Sequence, residues 1–400
     1  MKILKFGHVL GGAFLVAGTS IGAGMLALPV ISSLGGFFPS LFIYLFSWII
    51  MTITGLLFLE ISLDMNKDSN IISMADRFLG KSGKVFSWII YLFLFYCLEV
   101  AYISNGGELV NNVFNTLSLN SCIFIFTLLF GFFVYVGTWA VDRINIVLIF
   151  GLAVSYFLFV FLGIKHVDVS NLFVFNSKYA IYSFPIILIS FGYQGMIPSL
   201  TYYMKKDYKK VRMSILLGTS IAFFIYLLWE FLILGIIPIE GKNGLKEALL
   251  QNKDAIEPLR YYTKIKSVYY IGRFFGFFAI TTSFLGVSLG LFDFIADGFK
   301  IHKKGMNKIL IALITFLPPL TITYLNPHIF ITALNYAGGV GGALLLIFLP
   351  ALFVFSKRYI KKEKSTFQVF GGKPLLIFIF VFVFFLILMQ IFQQIINFAA

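Results

Sequence analysis

The chain has 400 residues, 60% of them hydrophobic and only 12% charged, with a mean hydropathy of +0.94. This composition excludes a soluble globular protein of that size and predicts an all-α polytopic membrane protein. The net charge of +14 sits in short basic runs between apolar stretches, which is the pattern of membrane orientation and argues against a nucleic-acid partner.

Apolar stretches of about 20 residues, each able to cross roughly 30 Å of hydrocarbon, fall at 8–33, 38–64, 83–112, 122–140, 144–164, 181–204, 210–236, 267–299, 307–325, 328–356 and 375–396. Eleven transmembrane helices are therefore expected. The first begins like a secretory signal, with Lys2 and Lys5 ahead of it, but the run is too long and heads a polytopic chain. Of 31 lysines and arginines, Lys165, Lys178 and six between Ile237 and Lys266 fall on one side, Arg273 lies within a span, and the other 22 lie on the N-terminal side. That bias puts the N-terminus in the cytoplasm and, after eleven spans, the C-terminus outside. The stretch Ser69 to Leu79 is mildly amphipathic and is expected along the inner surface. The loops are too short for a soluble domain, so the chain reads as a single integral membrane domain.

Two spans are interrupted. The first contains Gly18-Thr19-Ser20-Ile21-Gly22-Ala23-Gly24-Met25-Leu26-Ala27-Leu28-Pro29. Gly22 and Gly24 let the backbone leave the helix cheaply, and Pro29 removes an amide from the ladder. The sixth contains Ile189 to Leu200, with Gly192, Gly195 and Pro198. Unpaired backbone at bilayer depth is tolerated only where it is buried in protein or lines a watery cavity. Spans one and six cross in opposite directions, so the chain divides into inverted five-span halves, 1–164 and 181–356, plus an eleventh helix at 375–396. Paired breaks in corresponding spans predict a transporter whose site lies at mid-membrane, with helix N-termini facing an anion and freed carbonyls facing a cation. A lone glycine-rich span would equally suit close helix packing.

Other chemistry finds little support. Cys97 and Cys122, with His8, His166, His302 and His328, make no metal or redox spacing. No cofactor is expected. A membrane-embedded enzyme would need a nucleophile, base or metal set near an interface, and the short loops hold no such constellation.

The first-span stretch Gly18 to Pro29 resembles the signature of the hydroxy and aromatic amino acid permeases, the tyrosine and tryptophan permeases of bacteria. Ser190-Phe191-Gly192-Tyr193-Gln194-Gly195-Met196-Ile197-Pro198-Ser199-Leu200 resembles their sixth-span motif, and Thr282-Ser283-Phe284-Leu285-Gly286-Val287-Ser288-Leu289-Gly290-Leu291-Phe292-Asp293 their eighth. The chain departs from the sixth-span motif at Tyr193-Gln194, where Phe-His is expected. The resemblance covers essentially the whole chain. It implies the LeuT-like inverted-repeat fold of the amino acid, polyamine and organocation superfamily, and proton-driven uptake of an aromatic amino acid across the bacterial inner membrane. With such a substrate, the carboxylate is expected on amides around Gly22, Ala23 and Gly24, beside Thr19 and Ser20, and the ammonium on carbonyls near Phe191 and Gly192. Tyr102, Phe191, Tyr193 and Tyr336 are candidates for the side-chain pocket, with Gln194 as a polar contact.

Ionisable residues inside spans usually mark pathways. Glu60, Asp64, Asp293 and Asp297 lie near helix ends, where gate pairing or solvation is expected. Glu99 lies deeper, sharing a face with Tyr102 and Gly106 by helical spacing, and is the candidate proton carrier. A protonated, hydrogen-bonded structural acid is the alternative. Glu230 is expected to pair with Arg273. Sodium coupling would instead use hydroxyls of Thr281, Thr282 and Ser283 opposite carbonyls near Thr19 and Gly22, although such hydroxyls commonly bond their own backbone.

Overall fold

A computed structural model describes residues 2–66, 69–114, 116–263 and 266–399, with side chains described for 8–393 within those limits. Lys2 and Lys5 therefore lie outside the described side chains. Among the described residues ten helices are long and apolar enough to cross a membrane, and His8–Ser20 with Gly24–Ser32, bent by 59°, makes an eleventh if the pair is one span. Numbered with that pair as span 1, the others are Phe37–Ser62, Ile71–Asn111, Leu119–Val136, Thr138–His166, Ser177–Tyr203, Tyr208–Ile236, Lys266–Gly298, Gly305–Leu325, Phe330–Ile360 and Gly372–Gln393.

Local chemistry starts these helices where the chain provides caps. Asn70 accepts from the Ser73 amide at 3.0 Å while its own amide donates to the Ser73 hydroxyl at 2.9 Å, a reciprocal cap that satisfies two orphan donors. The amphipathic stretch from Ile71 forms its own short helix before the chain turns at Gly80, whose φ of 74° only glycine adopts without strain, and continues as span 3. Ser118 and Asp207 cap spans 4 and 7 in the usual way.

The layers follow from burial. Spans 10 and 6 are the most enclosed, with 72% and 67% of their apolar windows buried, whereas span 9 has only 22% and span 5 only 28%. Spans 10 and 6 thus lie inside, among helices that present Phe and Leu outward. Span 10 is π-helical from Ala337 to Phe348, and Gly338 there leaves no room for a Cβ against the Pro185 carbonyl of span 6. The wider turn and missing side chain let two backbones touch at the centre.

On the face bearing the basic runs, Arg358 at the end of span 10 reaches Glu60 of span 2 at 2.8 and 2.5 Å. Lys357 pairs with Asp64 and reaches the Glu60 carbonyl at 3.3 Å. Buried charges persist only when paired in this way. Asp293 pairs with Lys303 at 2.7 Å on an exposed surface.

Candidate functional site

The two breaks meet. In span 1, Ile21 closes the last turn on Ala17 at 2.8 Å, and a new ladder opens with Met25 and Leu26 donating to Gly22 and Ala23 at 3.1 Å each. The amides of Gly22, Ala23 and Gly24 fall between these ladders, and Ala23 donates to the Ser283 hydroxyl of span 8 at 2.9 Å. A Cβ at Gly22 would strike that same hydroxyl, and one at Gly24 would come within 2.6 Å of the Ser190 hydroxyl of span 6. A side chain at either glycine would therefore have to displace a serine hydroxyl.

In span 6 the helix Phe184–Ser190 stops, Phe191 and Tyr193 leave helical geometry, and Ile197–Tyr203 resumes after one tight turn. Pro185 and Pro198 sit in the first turns of the two halves, where a missing amide costs nothing. Gln194 braces the gap: its carbonyl accepts from the Tyr193 amide at 3.0 Å, and its amide donates to Thr54 at 3.0 Å and to the Met51 carbonyl at 3.3 Å. The Tyr193 hydroxyl donates to the same Met51 carbonyl at 3.1 Å. Gly55 of span 2 makes room for that phenol.

Between the breaks lies a cavity of about 580 Å³, within the range of small-molecule sites. Thr19, Ser20, Gly22, Ala23, Gly24, Tyr102, Gly192, Tyr193, Gln194, Thr282 and Ser283 all line it. Further wall comes from Tyr91, Phe95, Asn145, Leu345 and Leu346, which carried no motif signal. Among the described residues its lining contains no Asp, Glu, Lys, Arg or His. The lining extends from the breaks through the N-terminal halves of spans 1, 3 and 5, toward the basic face.

Four expected residues lie off this wall. Phe191 is fully buried, its ring 4.9 Å edge-on from Tyr226 of span 7. Tyr336 is half-buried one residue before the π segment. Thr281 is buried with its hydroxyl unpartnered among the described residues. Glu99 is likewise buried, its carboxyl facing the Ser288 hydroxyl of span 8. Gly106 packs against the Phe126 ring of span 4, so the shared face of span 3 is divided between cavity and packing. Thr19, Ser20 and Thr282 bond their own preceding turns at 2.8, 3.2 and 2.8 Å.

The expected pairing of Glu230 with Arg273 is not formed. Glu230 accepts instead from Ser32 and from Tyr44 at 3.0 Å, because its side chain points inward to spans 1 and 2. Arg273 lies over the Tyr269 ring and lines a small outer pocket with Glu108, Lys253, Asp254, Glu257 and His328. Sequence patterning shows that an acid lies in a span but not which neighbouring helix it faces.

That pocket belongs to a lid on the face opposite the basic runs. The Ala255 amide donates to the Leu26 carbonyl at 3.1 Å, Asn105 donates to Asp254 at 3.0 Å, and Asp254 also accepts from Ile256 at 2.9 Å. Thr332 donates to Asn252 at 2.8 Å, and His328 lies 2.6 Å from Glu108. Burial pushes the Asp254 carboxyl up to about 6, opposed by the bonds from Ile256 and Asn105 and assisted by Glu108 and Glu257. The hydrogen bond to Glu108 raises His328.

The chain is similar to known transport proteins. Residues 5–390 match the model of the tryptophan/tyrosine permease family. A tryptophan-specific transport protein of Haemophilus influenzae is 35% identical, covering 94% of this chain and 93% of its own. A tyrosine-specific transport system of the same organism is 33% identical, covering 90% and 91%. Among solved structures, MhsT in complex with L-phenylalanine superposes with a TM-score of 0.62 at 13% identity, covering 94% and 98%. A manganese transporter of Eremococcus coleocola gives the same TM-score at 13% identity, covering 96% and 85%. These neighbours share the LeuT fold, and the sequence relatives are transport proteins, not enzymes. The chain is a multi-pass membrane protein that belongs to the tryptophan/tyrosine permease family.

Proposed function

We propose that this chain imports tryptophan or tyrosine across a bacterial inner membrane by proton symport, alternating access between two inverted five-span halves, with the extra eleventh helix at their side. The observation that carries this reading is the cavity itself: it joins two broken helices, has no Asp, Glu, Lys, Arg or His on its wall among the described residues, and is rich in aromatic and leucine side chains. An amino acid there must place its charges on backbone. The carboxylate docks on amides around Gly22, Ala23 and Gly24, at the N-terminus of the outer half of span 1, and the ammonium on carbonyls freed at the span 6 break. The side chain lies against Tyr102 and Tyr193. The relatives specific for tryptophan and tyrosine support an aromatic substrate.

With the N-terminus in the cytoplasm, as the basic runs favour, the cavity faces inward and the lid around Asp254 closes the outside. Glu99, buried and facing the Ser288 hydroxyl, is the proposed proton carrier, positioned next to cavity residues Leu98 and Tyr102. A second reading, sodium coupling through Thr281 to Ser283, is favoured by the buried, unpartnered Thr281 hydroxyl.

One experiment separates the two. In sodium-free proteoliposomes with an inward proton gradient, wild type should accumulate labelled tryptophan and Glu99→Gln should lose at least about tenfold of that gradient-driven accumulation while still exchanging tryptophan. A wild type that ignores the gradient and requires sodium would move coupling to Thr281–Ser283.

A further inference from the structure

The residues Ser20-Ile21-Gly22 and Ser190-Phe191-Gly192 occupy corresponding places at the two breaks. In each, the helix ends on the serine, and its carbonyl loses the amide four residues on that would have closed the next turn. Both orphaned carbonyls point at one atom. The hydroxyl of Tyr226, from the middle of span 7, lies 2.6 Å from the Ser20 carbonyl and 2.6 Å from the Ser190 carbonyl. Tyr226 is fully buried, absent from the cavity wall, and held in place by the Phe191 ring.

We infer that Tyr226 is a positioning residue that ties the two broken spans together from behind the site, so that the cytoplasmic half of span 1 and the outer half of span 6 move as one unit. The inference rests on the transport reading above. A phenol has one proton to donate, and two acceptors compete for it. Ser20 and Ser190 are both buried, and an orphan carbonyl in such surroundings is costly. The arrangement is stable only while both helix ends stay within reach of the same hydroxyl. Sliding one break away from the other strips a carbonyl of the only donor it has among the described residues. The carbonyls themselves lie on residues that line the cavity, so a change at one break on substrate binding reaches the other through this oxygen. Ser190 adds a second contact, its hydroxyl lying where a Cβ on Gly24 would go.

The test compares wild type with Tyr226→Phe, which keeps the ring and removes the hydroxyl. Equilibrium binding of labelled tryptophan to purified protein counts intact sites and gives Kd; uptake in proteoliposomes gives Vmax per site. The expected result is a Kd within about threefold of wild type and a Vmax per site reduced at least tenfold. Phe224→Leu, at an exposed position of the same span, should keep Vmax per site within threefold. An unchanged Vmax per site in Tyr226→Phe overturns the inference, as does a loss confined to Kd. Should Tyr226→Phe yield no folded protein, 3-fluorotyrosine at position 226 keeps shape and hydroxyl while strengthening the donor; Vmax per site should then shift at least twofold, and no shift is a negative answer. Failure of wild type itself to take up tryptophan would refute the transport reading and not the role of Tyr226 specifically.

Discussion

Gln194 is a residue whose position in the chain is plain and whose partners are not. It stands in the sixth-span motif, where an amide near a bound amino acid suggests direct contact, and it does line the cavity. Yet its hydrogen bonds go to Thr54, Met51 and the Tyr193 amide, so it holds the unwound turn against span 2. Gln194→Leu should therefore destabilise the protein by about 1–3 kcal/mol, the cost of leaving buried polar groups unpaired. A thermal melt followed by size exclusion should show the midpoint falling, while competition by tryptophan and tyrosine keeps the wild-type order. An inverted order with an unchanged melt would make Gln194 a substrate contact instead. Glycines are easier to read: Gly22 and Gly24 mark a break because the backbone geometry is local. Glu230 is harder, because its choice of Ser32 and Tyr44 over Arg273 depends on how three helices rotate against each other.

Among the elements, the connection between spans 7 and 8 is the one whose role was least visible in the sequence. It carries both charge signs and reads as an ordinary exposed loop, whereas the fold inserts residues 252–256 against spans 1, 3 and 10. Asp254 gives this lid a pH dependence. Its carboxyl binds a proton more readily when docked, at about 6 against an ordinary 3.8, so docking is strongest below about pH 4 and weakens as pH rises to 6. Glu108, Glu257, Lys253, Arg273 and His328 surround it, and His328, raised by Glu108, acts in the same direction at higher pH. Hydrogen exchange at Ala255 and Ile256, corrected for intrinsic rate, should lose protection from pH 4 to 6. Asp254→Asn should flatten that profile. Protection that grows over the same range would contradict the assigned sign.

For the whole molecule, apolar run length and the two glycine-proline interruptions carried most of the architecture, because a bilayer leaves helices almost no alternative. Spans 1 and 6 were legible as broken, and the structure brings most of the residues from their motifs to one cavity. Tyr226 was not legible: one tyrosine in an apolar helix has no spacing to betray it, and only the meeting of both breaks gives its hydroxyl a purpose. The π segment of span 10 was likewise invisible, since four glycines in Ala337–Phe348 suit many kinds of close packing. The central claim is that an aromatic amino acid crosses through the space between the breaks, and Gly24 tests it most directly because any side chain there meets Ser190. The measurement is saturable uptake of labelled tryptophan by reconstituted wild type and Gly24→Val, each with excess unlabelled tyrosine, glutamate or lysine. Wild type should show uptake blocked by tyrosine and indifferent to glutamate and lysine, with Gly24→Val inserted normally but at least about a hundredfold slower; uptake by Gly24→Val at the wild-type rate would contradict the account.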